Sequence, residues 1–345
     1  MVTAIKTELF LRKDELQNKT ISSLYFGGGT PSILKVDQLN FLIDEVSKYF
    51  EFSNDIEITL EANPDDLDKN FLKELSSTPF NRLSIGTQSF FEEDLVLMNR
   101  AHNASEAIDS IKRAQDFGFE NLSVDLIYGS PSSSFLHWQV NLKTIIELQI
   151  PHVSSYALTV EPKTAMEHWI ATGKMKAPKE AEQNDAFYYM SEFLKENGFL
   201  HYEISNFAKE GFQSRYNTAY WQYHEYLGIG PSAHSYDGDK KRSWNIANNT
   251  LYLKNIFENK IPQEVEVLTE KEQFNEMLMI GLRTTWGVSL LKLKNRFSEE
   301  LIEKFEIELF AKLEEGFLKI ENDFLKIPEK HWFLADGIAS DLFSV

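Results

Sequence analysis

Strand-like and helix-like segments alternate through the first half of this 345-residue chain. The segments between the strands carry apolar residues at a helical period, as at Leu39, Leu42 and Val46. Strands that recur about every thirty residues, with a helix between neighbours, predict parallel pairing through helical crossovers. The initial helix predicted at 2–17 favours a partial, open barrel over a closed eight-fold one. The predicted strands lie at 21–26, 55–64, 82–90, 121–131 and 152–160.

The second half of the chain divides into a less regular stretch and a separate C-terminal part. A helix is predicted at 180–197, and a polar and aromatic stretch runs from there to about residue 248. Helices predicted at 270–283 and 297–315, followed by short strands around an Asn322-Asp323 turn, indicate a winged-helix-like domain. We therefore expect three parts, at 1–165, 166–261 and 262–345.

Charge and composition argue against several classes of function. The chain has 35 Lys and Arg against 53 Asp and Glu, and a net charge of −18 disfavours nucleic-acid binding. No apolar run approaches the roughly 18 residues of a membrane span, and no secretion leader is visible, so we expect a cytoplasmic protein. The chain has no cysteine and no His-Glu-x-x-His pattern, so no metal site is predicted.

Three consecutive glycines, Gly27 to Gly29, end the first predicted strand and are followed by Thr30 and Pro31. The stretch has no lysine and matches neither a Walker loop nor Gly-x-Gly-x-x-Gly, so a phosphate loop is not predicted. Glycines let a ligand approach the backbone, where carbonyls suit an ammonium group and amides suit an anion. The alternative is a plain tight turn.

Polar side chains follow the other predicted strands. Glu61 and Asp125 stand near strand ends, Gln88 ends a third strand, and Arg100 comes shortly after it. Ligands of parallel sheets bind at the carboxyl ends of the strands, where these four side chains would converge. Carboxylates together with a guanidinium suit an amino acid, which carries an ammonium and a carboxylate. Each residue alone is equally compatible with a structural ion pair.

Other chemistry has less support in the sequence. No serine lies in a Gly-x-Ser-x-Gly elbow, so a hydrolase is not indicated. Of the eight histidines, His201 and His234 have glycine-rich and aromatic neighbours and are the better candidates for a site.

Nine ordered segments together resemble the radical S-adenosylmethionine (SAM) family around oxygen-independent coproporphyrinogen III oxidase. The matching segments occur in order and span nearly the whole chain, from about residue 21 to 287, and the resemblance is greatest to the haem-chaperone branch. The segments are YFGGGTPSIL, EANP, SIGTQSF, NRAH, SVDLIYGSP, YALTVEP, HYEISNFA, YLGIGPSAHSY and EMLMIGLRTTWGV.

The resemblance implies an α/β fold, a partial (β/α)6 TIM-like barrel with a small C-terminal helical, winged-helix-like domain. It also implies a SAM site in which the methionine end of the SAM molecule meets the glycine-rich turn. Four of its residues are those already selected for their chemistry. The SAM-binding positions implied are Gly28, Gly29, Thr30, Glu61, Gln88, Arg100, Asp125 and Ala157.

One departure from the family concerns its [4Fe-4S] cluster, which cysteine thiolates hold after the first strand. This chain has no cysteine, and the first strand and cluster loop of the family have no counterpart in it. A missing N-terminal segment of about thirty residues is the favoured explanation, and a natural cluster-less variant is the alternative. As written, the chain is expected not to cleave SAM reductively, so its standing as an enzyme stays open.

A second departure lies in SRYNTAYW, where the chaperone branch carries a histidine implicated in haem binding. Here the position is Tyr216, followed by Asn217 and Tyr220. Tyrosine is a known axial ligand of haem iron, so these three residues are candidates for haem binding. The alternative is that Tyr216 only packs.

The resemblance leaves three functions open. The first is a chaperone that binds SAM and haem or porphyrin and passes haem to respiratory haem proteins, with peripheral membrane association. The second is oxygen-independent coproporphyrinogen III oxidase. The third is a cluster-less protein that binds SAM or porphyrin without chemistry.

Overall fold

A computed structural model describes residues 1–344 of the chain. The strands are β1 (Thr20–Phe26), β2 (Glu51–Ala62), β3 (Arg82–Gln88), β4 (Leu122–Tyr128), β5 (His152–Ala157), β6 (Leu200–Glu203), β7 (Asn206–Ala208), β8 (His234–Tyr236), β9 (Lys241–Asn245), β10 (Gln263–Val267), β11 (Val288–Ser289), β12 (Lys319–Glu321) and β13 (Phe324–Lys326). The helices are α1 (Val2–Arg12), α2 (Val36–Ser47), α3 (Lys69–Leu75), α4 (Glu92–Leu97), α5 (Ala104–Asp116), α6 (Phe135–Glu147), α7 (Ala165–Ala171), α8 (Glu180–Glu196), α9 (Arg215–Trp221), α10 (Asn249–Phe257), α11 (Glu270–Leu282), α12 (Leu290–Arg296), α13 (Glu299–Glu314) and α14 (Ala335–Ser340).

The chain divides into two compact units, each assembled from separate stretches of sequence. The first unit comprises Met1–Leu24, Val36–Glu57 and the chain from Ser214 onward, and the second unit comprises Tyr25–Lys35 and Ile58–Gln213. The predicted part boundaries after residues 165 and 261 stay predictions.

A seven-stranded sheet in the order β1-β2-β3-β4-β5-β7-β6 confirms the predicted α/β class and partial barrel. Strands β2 to β5 pair in parallel, and helices connect them as the alternation predicted. The β6–β7 hairpin adds two antiparallel strands beside β5. The barrel-type sheet is therefore open, with β1 and β6 as its outermost strands.

Buried aliphatic side chains from neighbouring strands form the core of the second unit. Leu83, Val124 and Val153 are fully buried, as parallel strands covered by helices require. Helix α5 contributes Ile111 and begins with a capping box between Asn103 and Glu106. The connection from β3 to β4 thus holds two helices, α4 and α5, and the capping box begins the second of them.

The first unit contains two small sheets that the sequence only partly indicated. Strands β8 and β9, which lie in the less regular stretch, form an antiparallel sheet with β10, which lies just beyond its predicted end at residue 261. In the C-terminal region, β11, β13 and β12 form a second antiparallel sheet, with α11, α12 and α13 in the same region of the chain. Asn322 and Asp323 have φ of 49° and 74°, as a tight two-residue hairpin turn requires, which confirms the predicted turn.

Candidate cofactor site

The glycine turn is held in shape by one carboxylate. Tyr25, the residue before the end of β1, donates its phenol hydrogen to Oε1 of Glu61 at 2.6 Å, while the Gly28 amide donates to Oε2 at 3.2 Å. A Cβ at Gly27 would lie 2.5 Å from the Tyr25 ring and 2.7 Å from the Glu61 carboxyl carbon. Gly28 has φ of +81°, a conformation that favours glycine. The shape of the turn therefore favours glycine at two of the three positions, Gly27 and Gly28.

The rest of the turn is open on one side and anchored on the other. A Cβ at Gly29 would meet nothing within 4 Å, so this backbone faces free space. The Thr30 carbonyl accepts from the Ile33 amide at 3.2 Å and begins a short 3₁₀ turn. Ser32 donates to the Asp66 carboxylate at 2.6 Å, which ties the turn to the segment after β2. The turn presents accessible backbone at a fixed position.

Glu61 and Asp125 lie on one face of the sheet. Glu61 is in register with Ser84 on β3, and Ser84 donates a hydrogen bond of 3.3 Å to Asp125 on β4. Burial raises the pKa of the Asp125 carboxyl to about 7, and repulsion from the Glu61 carboxylate adds to the shift. Burial, helped by the Glu61 carboxylate, likewise raises the pKa of Tyr25. This face therefore combines a hydrogen-bonded carboxylate with an acid that titrates near neutrality.

The raised pKa of Asp125 predicts a particular pH dependence of stability. A carboxyl that holds its proton more tightly when folded contributes stability below its unfolded pKa, near 4, and that stability is lost as pH rises through about 7. Asp125→Asn should flatten the decline of the melting temperature between pH 4 and 7, as measured by thermal unfolding in a pH series. Identical slopes for the variant and the wild type would contradict the assignment.

Arg100 lies over the end of β3. Its Nη2 donates to Asn63 Oδ1 at 2.6 Å and to the Gly86 carbonyl at 2.8 Å. Both acceptors are neutral, and no ion pair of Arg100 is found within residues 1–344. A fixed guanidinium without a carboxylate partner suits an anionic ligand group.

Gln88 and Ala157 complete the strand-end residues selected from the sequence. Gln88 has φ of +68° at a register shift in β3. Its side-chain Nε2 lies close to Gly86, since a Cβ added to that glycine would be only 3.3 Å from it. Non-glycine residues in this conformation are held there by their surroundings and cluster at functional sites. Ala157 ends β5 in register with Tyr128 of β4. The side chains thus follow consecutive strands of the sheet.

The candidate haem segment is the short helix α9. Tyr216 and Asn217 lie in its first turn and are partly exposed, and Tyr220 is 42% exposed. The Tyr220 ring lies 5.4 Å from the Trp221 ring and 5.7 Å from the Tyr226 ring. The segment therefore carries an aromatic cluster, and its role in haem binding remains a prediction.

The two histidines selected from the sequence have different surroundings. His201 is buried, stacks on Phe207 with ring centroids 3.8 Å apart and hydrogen-bonds Ser191 at 3.0 Å. Burial lowers the pKa of His201 to about 3, as for a neutral core histidine. His234 is exposed beside the Trp244 ring, at 6.0 Å between centroids.

Comparison with protein families supports the class that this architecture suggests. The family model described as the radical SAM superfamily matches residues 6–138, and that of the HemN C-terminal domain matches residues 268–334. The solved structure of coproporphyrinogen III oxidase (HemN) from Escherichia coli superposes with a TM-score of 0.83 at 22% identity, over 99% of this chain and 82% of that one. The protein therefore has the fold of a radical SAM protein with a HemN-type C-terminal domain.

Two curated relatives define the family within that class. The heme chaperone HemW of Bacillus subtilis is 33% identical over 319 residues, which cover 92% of this chain and 84% of the relative. The heme chaperone HemW of Lactococcus lactis is 35% identical over 277 residues, 80% of this chain and 73% of the relative. The chain belongs to the HemW family of radical SAM proteins.

The residues present fit one cofactor of this class and not the other. The open backbone at Gly29, the Glu61 carboxylate and the unpaired Arg100 guanidinium match the ammonium and carboxylate groups of SAM. A [4Fe-4S] cluster needs thiolate ligands, and the 345 residues contain no cysteine. Nor do residues 1–344 hold any group of three or more His, Asp or Glu that could bind a metal ion. These residues by themselves do not hold such a cluster.

Three residues of the site were not predicted from the sequence. Tyr25 supports Glu61, and Asn63 and Gly86 hold Arg100. Asn63 lies in the EANP segment, where a polar residue at a strand end could have been selected by the rule that selected Glu61. Gly86 acts through its carbonyl, which no side-chain pattern reveals.

Proposed function

We propose that this protein is a haem chaperone that binds haem and SAM. The observation that carries the proposal is the 33% identity with a heme chaperone HemW over 84% of that relative. The strand-end site supports SAM binding because its donors and acceptors match both charged groups of an amino acid. The similarity to coproporphyrinogen III oxidase, at 22% identity, extends to the fold alone.

Haem binding is proposed for the first turn of α9 and its aromatic neighbours. Tyr216 would supply the axial ligand, since a phenolate can ligate haem iron, and the exposed Tyr220 ring would lie against the porphyrin. Asn217 lies beside Tyr216 in the same turn and would add a polar contact.

A hemin titration of the purified protein tests this proposal. The wild type should give a saturable Soret change, and Tyr216→Phe should weaken binding at least about tenfold, or about 1.4 kcal/mol, because the phenolate is lost. Tyr189→Phe is the matched control, since Tyr189 lies on α8 and packs on Phe193. A Tyr216→Phe protein with the Soret band and affinity of the wild type would exclude Tyr216 as the ligand.

The proposal extends to the partners and location of the chain. Within residues 1–344, no helix is both long and apolar enough to cross a bilayer. We propose a cytoplasmic chaperone that associates peripherally with the membrane and delivers haem to respiratory haem proteins. Transfer of bound haem from the purified protein to an apo-cytochrome, followed by visible spectroscopy, tests this step.

A further inference from the structure

Helix α9 is too short to hold its own shape. It has seven residues, whereas isolated helices shorter than about 12 residues are marginal in water. Tertiary contacts must therefore fix its position and direction. The contacts that do so determine where the side chains of Tyr216 and Tyr220 point.

The first three amides of α9 all have acceptors. The Arg215 amide donates to both carboxylate oxygens of Glu57 at 3.1 Å, and the Tyr216 amide donates to Oε1 of Glu57 at 3.3 Å. The Asn217 amide donates at 3.2 Å to the hydroxyl of Ser214, the N-cap residue of the helix. One carboxylate and one hydroxyl thus satisfy the orphan donors of this helix start.

Glu57 is a β2 residue that is only 4% exposed. The Ser214 hydroxyl completes its shell by donating to Oε1 at 3.4 Å. The guanidinium of Arg215 is directed elsewhere and pairs with Asp55 at 2.6 Å. The buried charge is therefore stabilised by backbone amides at the positive end of a helix, an arrangement that requires α9 to begin at this place.

We infer that Glu57 is the positioning residue of the haem segment. Its carboxylate fixes the first turn of α9, and this sets the direction of the Tyr216 side chain and, one turn later, of Tyr220. The inference rests on the proposed function, because it assigns Glu57 to the same haem site. Glu57 acts through the backbone of α9, without contact to haem.

The test compares Glu57→Gln with Asp55→Asn. The first variant keeps the shape of the side chain but removes the charge that accepts from the two amides. The second removes only the exposed partner of the Arg215 guanidinium.

Hemin affinity and Soret position are measured by titration, and hydrogen exchange over residues 214–221 is measured by mass spectrometry. Glu57→Gln should weaken hemin binding at least about tenfold, shift the Soret band and accelerate exchange, since the first turn frays. Asp55→Asn should behave like the wild type.

Two further variants keep the test decisive. Glu57→Asp retains the charge and should recover part of the affinity and of the exchange protection. If Glu57→Gln does not fold, Ser214→Ala removes the cap of the same turn and should show the same two changes.

The outcomes separate this inference from the proposed function. A wild type that binds hemin, with a Glu57→Gln protein of equal affinity and Soret position, would overturn the role of Glu57 and leave the haem chaperone standing. A wild type that binds no hemin would overturn both, even if exchange over α9 accelerates in the variant.

Discussion

Replacing Glu8 with alanine is expected to lower the free energy of unfolding by about 3–5 kcal/mol. Glu8 and Arg12 are almost fully buried on α1 and form an ion pair of 3.0 Å. Glu8 also accepts from the side-chain amide of Asn245 at 2.6 Å, the Tyr252 hydroxyl at 2.6 Å and the backbone amide of Gly230 at 2.8 Å. Removing the carboxylate leaves the Tyr252 hydroxyl and the Gly230 amide without this acceptor. The Asn245 side-chain amide keeps only the Gly230 carbonyl, and the buried guanidinium of Arg12 loses one of its partners, which explains the size of the loss.

Urea unfolding of the whole protein measures this loss. Lys304→Ala is the matched control, because Lys304 and Glu300 form an i,i+4 pair that is exposed to solvent, and such pairs contribute little to stability. Glu8→Gln keeps an acceptor oxygen and should lose less than the alanine variant. A Glu8→Ala protein within about 1 kcal/mol of the wild type would show that the cluster contributes little.

Gly27→Ala is expected to weaken SAM binding at least about tenfold, or about 1.4 kcal/mol. The new methyl group would lie 2.5 Å from the Tyr25 ring and 2.7 Å from the Glu61 carboxyl, distances that Cβ atoms essentially never show. Relief of this overlap separates Tyr25 from Glu61 and withdraws the carboxylate from the Gly28 amide. The turn then loses the contact that fixes its open backbone.

Equilibrium dialysis with labelled SAM measures the affinity. Gly337→Ala on α14 is the control, since a methyl group there meets nothing within 4 Å. Glu61→Gln tests the charge separately from the shape, and it should also lower affinity if the carboxylate faces the ammonium of SAM. Unchanged affinity in Gly27→Ala would mean that the glycine turn is a plain structural turn.

Secondary structure was predictable where the cause was local. The parallel strands and their crossover helices followed from apolar periodicity, and the Asn322-Asp323 turn followed from residues that tolerate positive φ. Helix α1 ends at Arg12 and is therefore shorter than the predicted 2–17. The amides of Gln17 and Asn18 donate to the Glu225 carboxylate and not to carbonyls of the helix. That partner lies more than 200 residues away along the chain.

The β8–β9–β10 sheet was missed for a related reason. Its strands have three to five residues, and β10 pairs with β9 only after helix α10 intervenes. Strands this short carry little periodicity, so their pairing is decided by the neighbours that tertiary packing supplies.

The site was predictable in its residue types and not in its contacts. Glu61, Arg100 and Asp125 were selected because charged groups at parallel strand ends converge, and these strands are indeed neighbours. Their partners are a phenol, a backbone carbonyl and a serine hydroxyl. Whether these residues bind SAM is the prediction that Gly27→Ala tests.

The sequence by itself determined the α/β class, the family resemblance and the absence of thiolates for a cluster, because each depends only on which residues occur and at what spacing. Only the tertiary structure decided what each of three glutamate carboxylates does. Glu8 closes an ion-pair cluster, Glu57 starts a helix and Glu61 shapes a glycine turn. The three share one side-chain chemistry, and a carboxylate takes its role from the donors that folding brings within about 3 Å of it.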